Sequence, residues 1–264
     1  MIGTQKEISV QPRQLRLENK VVIVTGASRG IGAAATRLFA LEGAAVVLAA
    51  RSEDSLKRIA AEIVDNGGRA LAVSTDVGDP ESVARLIEQT LHAFGRLDAA
   101  FNNAGEGHYP SALADVPVEA FDRAVRVNLR GVFLAMKYEI PAMLAADGGA
   151  IVNMASTAGL NGVQGIAGYV AGKHGIVGLS KTAALDYAQK HIRVNVVAPG
   201  PILTERIGSL SDEQRLPIAY AVPMRRIGLP EEVAATVAWL LSDEAAFITG
   251  AVIPIDGGRL SGIA

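Results

Sequence analysis

In the run Tyr169-Val170-Ala171-Gly172-Lys173 a phenol and an ammonium stand four residues apart, and Ser156 lies thirteen residues upstream. On a helix, positions i and i+4 share a face, so the two side chains would point into the same space. A phenol ordinarily ionises at about pH 10, and bringing it near 7 takes about 4 kcal/mol of preferential stabilisation of the phenolate. A lysine charge ~5 Å away supplies roughly 3 kcal/mol at an effective dielectric of about 20. A neighbouring cationic cofactor ring could supply the remainder. The chemistry this allows is proton transfer to or from a substrate oxygen. Alone, the spacing also fits an ordinary helix with one aromatic and one surface lysine.

A second cluster sits near the start of the chain. Lys20 to Thr25 (KVVIVT) is an apolar run without alternation, as in a central parallel strand covered on both faces. It runs into Gly26-Ala27-Ser28-Arg29-Gly30-Ile31-Gly32 and then the helix-forming stretch Ala33 to Glu42. Strand, glycine turn and helix deliver a pyrophosphate to a helix N-terminus, where free N–H groups and the helix dipole favour negative charge. The spacing is G-x-x-x-G-x-G rather than the common G-x-G-x-x-G.

Together these features resemble the short-chain dehydrogenase/reductase family in its short-subunit form. The resemblance runs from about Leu17 to Gly258 and takes in Thr25-Gly26-x-x-x-Gly30-x-Gly32, Asp76-Val77, Asn102-Asn103-Ala104-Gly105, Asn128, Ser156, Tyr169-x-x-x-Lys173 and Pro199-Gly200. It implies a nicotinamide-dependent oxidoreductase interconverting a secondary alcohol and a ketone. Tyr169 would be the acid/base, Lys173 would lower its pKa and bond the nicotinamide ribose, and Ser156 would hold the substrate oxygen. Asn128 would hold a water linking Lys173 to solvent. The glycine turn (Gly26, Ser28, Arg29, Gly30, Ile31, Gly32) would take the pyrophosphate, and Asp76 the adenine amino group with the Val77 backbone beside it. Asn102, Ala104 and Gly105 would line the adenosine ribose, Ile202 and Thr204 the nicotinamide amide, and Pro199 and Gly200 would also bind the cofactor. Hydride passes directly between carbons, so no metal is expected.

The cofactor's identity turns on the end of the second strand. NAD-binding folds usually carry a carboxylate there for the ribose 2′-OH; here the residue is Ala50, followed by Arg51. A carboxylate would repel a 2′-phosphate, whereas an arginine offers a bidentate fork. With Arg29 on the same side, the resemblance points to NADP(H) over NAD(H).

Strand and helix patterns alternate through the rest of the chain. Strands are expected at Ala45 to Ala50, Ala70 to Ser74, Leu97 to Phe101, Ala150 to Met154, Ile192 to Val197 and Val252 to Ile255. Helices fall between them, including Glu53 to Asp65, one opened by Asp79-Pro80, a tract from Val118 to Ala146 bent or shortened by Pro141, the Tyr169 helix to about Lys190, and Glu231 to Leu241. Such alternation predicts an α/β fold, a doubly wound, Rossmann-like parallel sheet of about seven strands with helices on both faces. Residues 20–264 form one domain in this reading and residues 1–19 a flexible tail. In such sheets ligands collect at the C-terminal strand ends.

Composition narrows the function classes. Lys and Arg number 25 against 27 Asp and Glu, a net charge of −2 that gives no electrostatic footprint for nucleic acid or an anionic membrane. The chain has no cysteine, which excludes disulfides, thiolate metal sites and cysteine nucleophiles. With neither a signal-peptide pattern nor an apolar run of about 18 residues, a cytoplasmic protein is expected. The histidines, His92, His108, His174 and His191, show no ligand spacing; His108 and Glu106 lie just after the Asn-Ala-Gly turn.

Leu203 to Met224 mixes Ile207, Leu210, Leu216, Ile218, Tyr220 and Met224 with Arg206 and Arg215, as in a mobile, partly apolar lid. Family members that reduce 3-oxoacyl thioesters grip an acidic carrier protein with basic residues. The matching positions are Asp147 and Leu185, which argues for a free ketone or secondary alcohol. A non-catalytic NADP(H) sensor and a sugar-nucleotide epimerase or dehydratase are the rival classes, though only about 60 residues follow Pro199 for a larger substrate domain. The small residues around Tyr169 (Gly165, Ala167, Gly168, Ala171, Gly172, Gly175) permit close helix approach, within a subunit or across the two-fold axis of the homotetramer that the resemblance implies.

Overall fold

The apolar runs pair in parallel register throughout. The computed structural model describes residues 15–107 and 109–262, and its elements follow in order: β1 (Val21–Thr25), α1 (Gly30–Leu41), β2 (Ala45–Ala50), α2 (Glu53–Asp65), β3 (Arg69–Ser74), α3 (Pro80–Phe94), β4 (Ala99–Asn102), α4 (Val118–Val125), α5 (Gly131–Ala145), β5 (Gly149–Met154), α6 (Ala167–Tyr187), β6 (Ile192–Pro199), α7 (Glu205–Gly208), α8 (Asp212–Tyr220), α9 (Pro230–Leu241) and β7 (Val252–Ile255). The sheet has seven strands in the order β3-β2-β1-β4-β5-β6-β7. Chain direction across the sheet reverses between β1 and β4, and that switch point opens a crevice at the strand ends.

Burial explains why the central strands lack alternation. Val21 to Thr25 are all buried, because Val22 and Val24 face one apolar layer while Val21 and Ile23 face the other. Side chains of α1, α2 and α9 complete the first layer, and those of α3, α5 and α6 the second. Phe39 of α1 meets Phe101 of β4 edge to face, ring centres 6.3 Å apart. Local signals set several boundaries. Asp79 caps α3 by accepting the N–H groups of Glu81 and Ser82, and Gly95 closes it in the left-handed region.

Three expectations change. The long helical tract is interrupted at Arg126–Arg130, a π-helical turn, while Pro141 is carried inside α5. The cause is Asn128, whose Nδ2 donates to the Ala124 carbonyl at 2.8 Å and so competes with the backbone ladder. The ordered body begins before Lys20: Leu17 is fully buried, its N–H bonds the Glu42 carbonyl at 2.9 Å, and Arg16 pairs with Glu42 at 2.6 Å. An apolar side chain at Leu17 fills the core beside the end of α1, so only residues 1–14 of the expected tail lie outside the described residues. Finally, β4 starts at Ala99 and ends on Asn102, and β6 continues to Pro199, so both residues are strand termini rather than loop.

Candidate active site

Ser156 follows β5 by two residues in extended conformation (φ −172°), and its Oγ accepts the Ala158 N–H at 3.1 Å. The short turn after it packs directly on α6, since a Cβ on Gly159 would stand 2.7 Å from the Lys173 carbonyl oxygen. That contact sets Ser156 over the first turn of α6, where its side chain comes near enough to the Tyr169 hydroxyl to favour the phenolate. One turn along, Lys173 is 2 % exposed, with Nζ 5.5 Å from the Tyr169 ring centre and donating to the Met154 carbonyl at 2.7 Å. The three groups that sequence spacing singled out therefore meet at the C-terminal edge of β5.

Burial dominates their electrostatics. Burial pushes the Tyr169 phenol above its ordinary value, opposed by the Ser156 hydrogen bond and the charge of Arg206. Burial likewise pushes Lys173 down to about 7. Among this chain's own residues the favoured state of Tyr169 is the neutral acid.

Asn128 is fully buried and grips the loop after β4 by both backbone groups of Glu106, accepting its N–H at 3.3 Å and donating to its carbonyl at 2.6 Å. A Cβ on Gly105 would stand 2.9 Å from Asn128 Oδ1 and 3.3 Å from Lys173 Nζ. Glycine is thus required where this loop crosses the lysine. The glycine turn is locked to the same loop. Thr25 Oγ1 accepts the N–H groups of Asn103 and Ala104, and Asn103 Nδ2 donates to the carbonyls of Thr25 and Gly26. Gly26 has φ +66°, and a Cβ on Gly32 would run into the Gly26 carbonyl oxygen.

At the start of α1 the Gly30 N–H donates to the Glu205 carboxylate at 3.1 Å. An anion already satisfies this helix end, so the donors here suit the negative charge of a dinucleotide's pyrophosphate. Thr204 lies over the same turn, with Cγ2 3.1 Å from where a Gly30 Cβ would be. Ser28 and Ile31 are half-buried and Arg29 is exposed beside it. Around the neighbouring rim Asp76 accepts from Gly78 N–H at 2.9 Å and Arg126 at 2.7 Å. Burial raises its pKa, but those two contacts outweigh it and hold the carboxyl below its ordinary value. Arg51 lies 3.9 Å from Glu106, which also pairs with Arg123.

Several expected cofactor residues turn their side chains elsewhere. Asn102 is 1 % exposed and donates to Glu139 and Asn153, both at 3.0 Å, because the pleat points it into the α5 layer and leaves Asn103 to face the glycine turn. The Val77 side chain packs where a Cβ on Gly131 would lie, at 3.0 Å, and Ile202 belongs to the core. Gly200 is a close approach to Asp256 at the end of β7, with Pro199 completing β6. These positions can offer only backbone to the crevice. Sequence reasoning missed Asn103, Glu205, Arg126 and Glu139; only Asn103, inside the quoted motif, carried a signal. Glu106 is placed on the loop at the rim, and His108 lies outside the described residues.

A family profile described as Enoyl-(Acyl carrier protein) reductase matches residues 26–259. The chain is a short-chain dehydrogenase/reductase. This dehydrogenase/reductase is 44 % identical over 246 residues to a cyclohexanol dehydrogenase of Acinetobacter sp. (strain SE19), covering 93 % of this chain and 97 % of the relative. It is also 44 % identical over 253 residues to an A-factor type gamma-butyrolactone 1′-reductase (1S-forming) of Streptomyces virginiae, with the same coverage. A crystal structure of a short-chain type dehydrogenase/reductase from Mycobacterium marinum superimposes with TM-score 0.89 at 36 % identity, over 94 % of this chain and 98 % of that one. The chain is thus an oxidoreductase using a nicotinamide cofactor, of a family acting on small alcohols and ketones. Among the described residues no cluster of His, Cys, Asp and Glu could hold a metal, and no helix is long and apolar enough to cross a membrane.

Proposed function

We propose that this dehydrogenase/reductase uses NADP(H) to interconvert a secondary alcohol and a ketone, with Tyr169 as the acid/base. The observation that carries the reading is the convergence of Ser156, just past β5, with Tyr169 and Lys173 on α6, the lysine Nζ 5.5 Å from the Tyr169 ring centre, on the same sheet edge as the glycine turn. Tyr169 gives its proton to the carbonyl oxygen in reduction and takes the hydroxyl proton in oxidation. Ser156 holds that oxygen, Lys173 holds the nicotinamide ribose, and Asn128 fixes the loop that crosses Lys173. The dinucleotide, when bound, supplies or takes the hydride and in its oxidised form adds a positive charge that favours the phenolate. Gly26 to Gly32 hold its pyrophosphate, and Asp76 with the backbone of Val77, Ala104 and Gly105 holds the adenosine. Both named relatives are described by ring compounds, which supports an alicyclic or lactone-bearing substrate for this chain.

The NADP(H) preference rests on Ala50 at the end of β2, on the exposed Arg51 and on Arg29, which joins no ion pair among the described residues. One charge-assisted contact of about 1.5–3 kcal/mol corresponds to about a tenfold to hundredfold preference. A carbonyl and alcohol panel run with both cofactors tests the reading. Wild type should favour NADPH in kcat/KM, and Ala50→Asp with Arg51→Ala should invert the ratio by adding a repulsive carboxylate. A wild type that favours NADH, or a double variant that keeps NADPH, refutes this assignment. NADPH binding without turnover of any panel member would favour the sensor reading.

Asp147 and Leu185 are both exposed where carrier-gripping members have basic residues, which supports a free small substrate over a carrier-bound thioester. Assembly as a homotetramer needs another basis than the small residues of α6. Cβ atoms on Gly168 and Gly172 would stand 3.2 Å from Ala124 and 3.1 Å from Asn128, and one on Gly175 2.8 Å from Leu129, so these glycines serve packing within the subunit. The outward Phe133 and Leu185 remain available for an interface; sedimentation as a monomer at micromolar concentration would refute the tetramer.

A further inference from the structure

Two adjacent lid residues face different parts of the crevice. Glu205 is tied to the Gly30 N–H on the dinucleotide side. Arg206, the next residue of α7, reaches the opposite way, its Nη1 3.6 Å from the point where a Cβ on Gly107 would stand. It therefore lies across from the loop that follows β4, with a glycine leaving open space beneath the guanidinium. Its charge also favours the Tyr169 phenolate, in keeping with that position beside the loop after β4.

The other arginines of the rim are engaged. Arg51 and Arg123 meet Glu106, and Arg126 meets Asp76. Among the described residues Arg206 joins no acidic partner; nor does Arg29, which stands apart from it at the glycine turn. An exposed guanidinium costs nothing to leave unpaired in water. Once substrate excludes that water, the cation needs an anion, and the planar fork matches a carboxylate in two-point geometry. With no second free cation beside it, the site matches one planar negative charge better than a phosphate dianion.

We infer that Arg206 selects the substrate of this enzyme, and that the favoured substrate is a ketone or secondary alcohol carrying a carboxylate remote from the reacting carbon. This rests on the dehydrogenase reading of the same site.

The test compares 4-oxocyclohexanecarboxylate with the neutral 4-methylcyclohexanone as substrates for wild type, Arg206→Met and Arg206→Lys, alongside NADPH affinity read by nucleotide fluorescence. Wild type should favour the carboxylate by about tenfold to hundredfold in kcat/KM. Arg206→Met should lose that preference through KM, falling further on the carboxylate than on the neutral ketone, and Arg206→Lys should keep part of it. NADPH affinity should stay within about twofold in all three. A wild type without preference, a preference that survives Arg206→Met, or an equal loss on both ketones would overturn the inference. So would a parallel loss of NADPH affinity, which would make Arg206 a cofactor residue. A wild type that reduces neither ketone nor any other carbonyl overturns the dehydrogenase reading as well, whereas turnover without preference overturns this inference alone.

Discussion

Lys173 and Glu139 are both buried beyond the reach of water, and burial drives both toward neutrality, the lysine down to about 7 and the glutamate up to about 7. Their surroundings separate them. Lys173 sits at the end of β5, one turn from Tyr169, with one donor spent on the Met154 carbonyl and the Tyr169 ring centre 5.5 Å from Nζ. Glu139 sits inside the helix–sheet layer, accepts one bond from Asn102 at 3.0 Å, and leaves Oε1 without a partner, as Asn102 leaves Oδ1. One desolvated ion is positioned to be stabilised by what binds beside it. The other can be relieved only by a proton. The same penalty thus falls on a group at the sheet edge, where a bound ligand could relieve it, and on one in the closed interior.

The comparison breaks most visibly at the proposed catalytic pair. Tyr169→Phe should lower kcat by at least ~10²-fold, with NADPH affinity and the circular dichroism spectrum nearly unchanged. Lys173→Met should lose turnover and NADPH affinity together. It should also flatten a stability gain that wild type shows as pH rises from about 7 toward the lysine's ordinary value. The sign follows from proton counts: in that window the unfolded lysine keeps a proton that the folded one has released, so raising pH favours the folded state. Near-normal turnover in either variant would remove the chemical half of the contrast.

Glu139 should behave in the opposite sense. Between its ordinary value and about 7 the folded protein holds a proton that the unfolded chain has lost, so wild-type stability falls as pH rises through that window. Glu139→Gln removes the titration and offers a donor to Asn102 Oδ1. Thermal melts should match wild type near pH 5 and exceed it near pH 8 by about 1–3 kcal/mol, or about 2–10 °C, with kcat changed less than about twofold. A loss of turnover rivalling that of the lysine variant would show that the interior network is not merely structural.

The smallest effect concerns the carboxylate at the glycine turn. Glu205 holds the Gly30 N–H that a pyrophosphate would use, and such an exposed contact at a helix end is worth about 0.3–1 kcal/mol. Glu205→Gln should therefore tighten NADPH binding by about twofold to fivefold in fluorescence titration. Unchanged affinity would mean that the lid carboxylate does not compete with the dinucleotide.

Wherever the decisive force is local, the sequence was readable. Unbroken β-branched runs marked the buried strands, Asp79-Pro80 marked a capped helix, and the Tyr169 to Lys173 spacing placed both side chains on one face of α6. Where a side chain competes with the backbone, the reading failed. Pro141 looked like the breaker, yet Asn128 makes the break through a hydrogen bond that only the folded helix brings within reach. Asn102 and Asn103 are the same residue type one step apart, and the pleat of β4 alone sends one to Glu139 and the other to the glycine turn.

The chain's own residues determined the parallel α/β order, the glycine turn at the first strand, and the serine, tyrosine and lysine that meet at the sheet edge, because periodicity and steric tolerance act over a few residues. Only the tertiary structure decided which charges face one another. Glu205 meets Gly30 across 175 positions, Arg126 meets Asp76 across 50, and Arg206 comes to lie above Gly107. Desolvation is likewise a property of the packed fold, so the neutral tendencies of Tyr169, Lys173 and Glu139 arise only once the layers have closed around them.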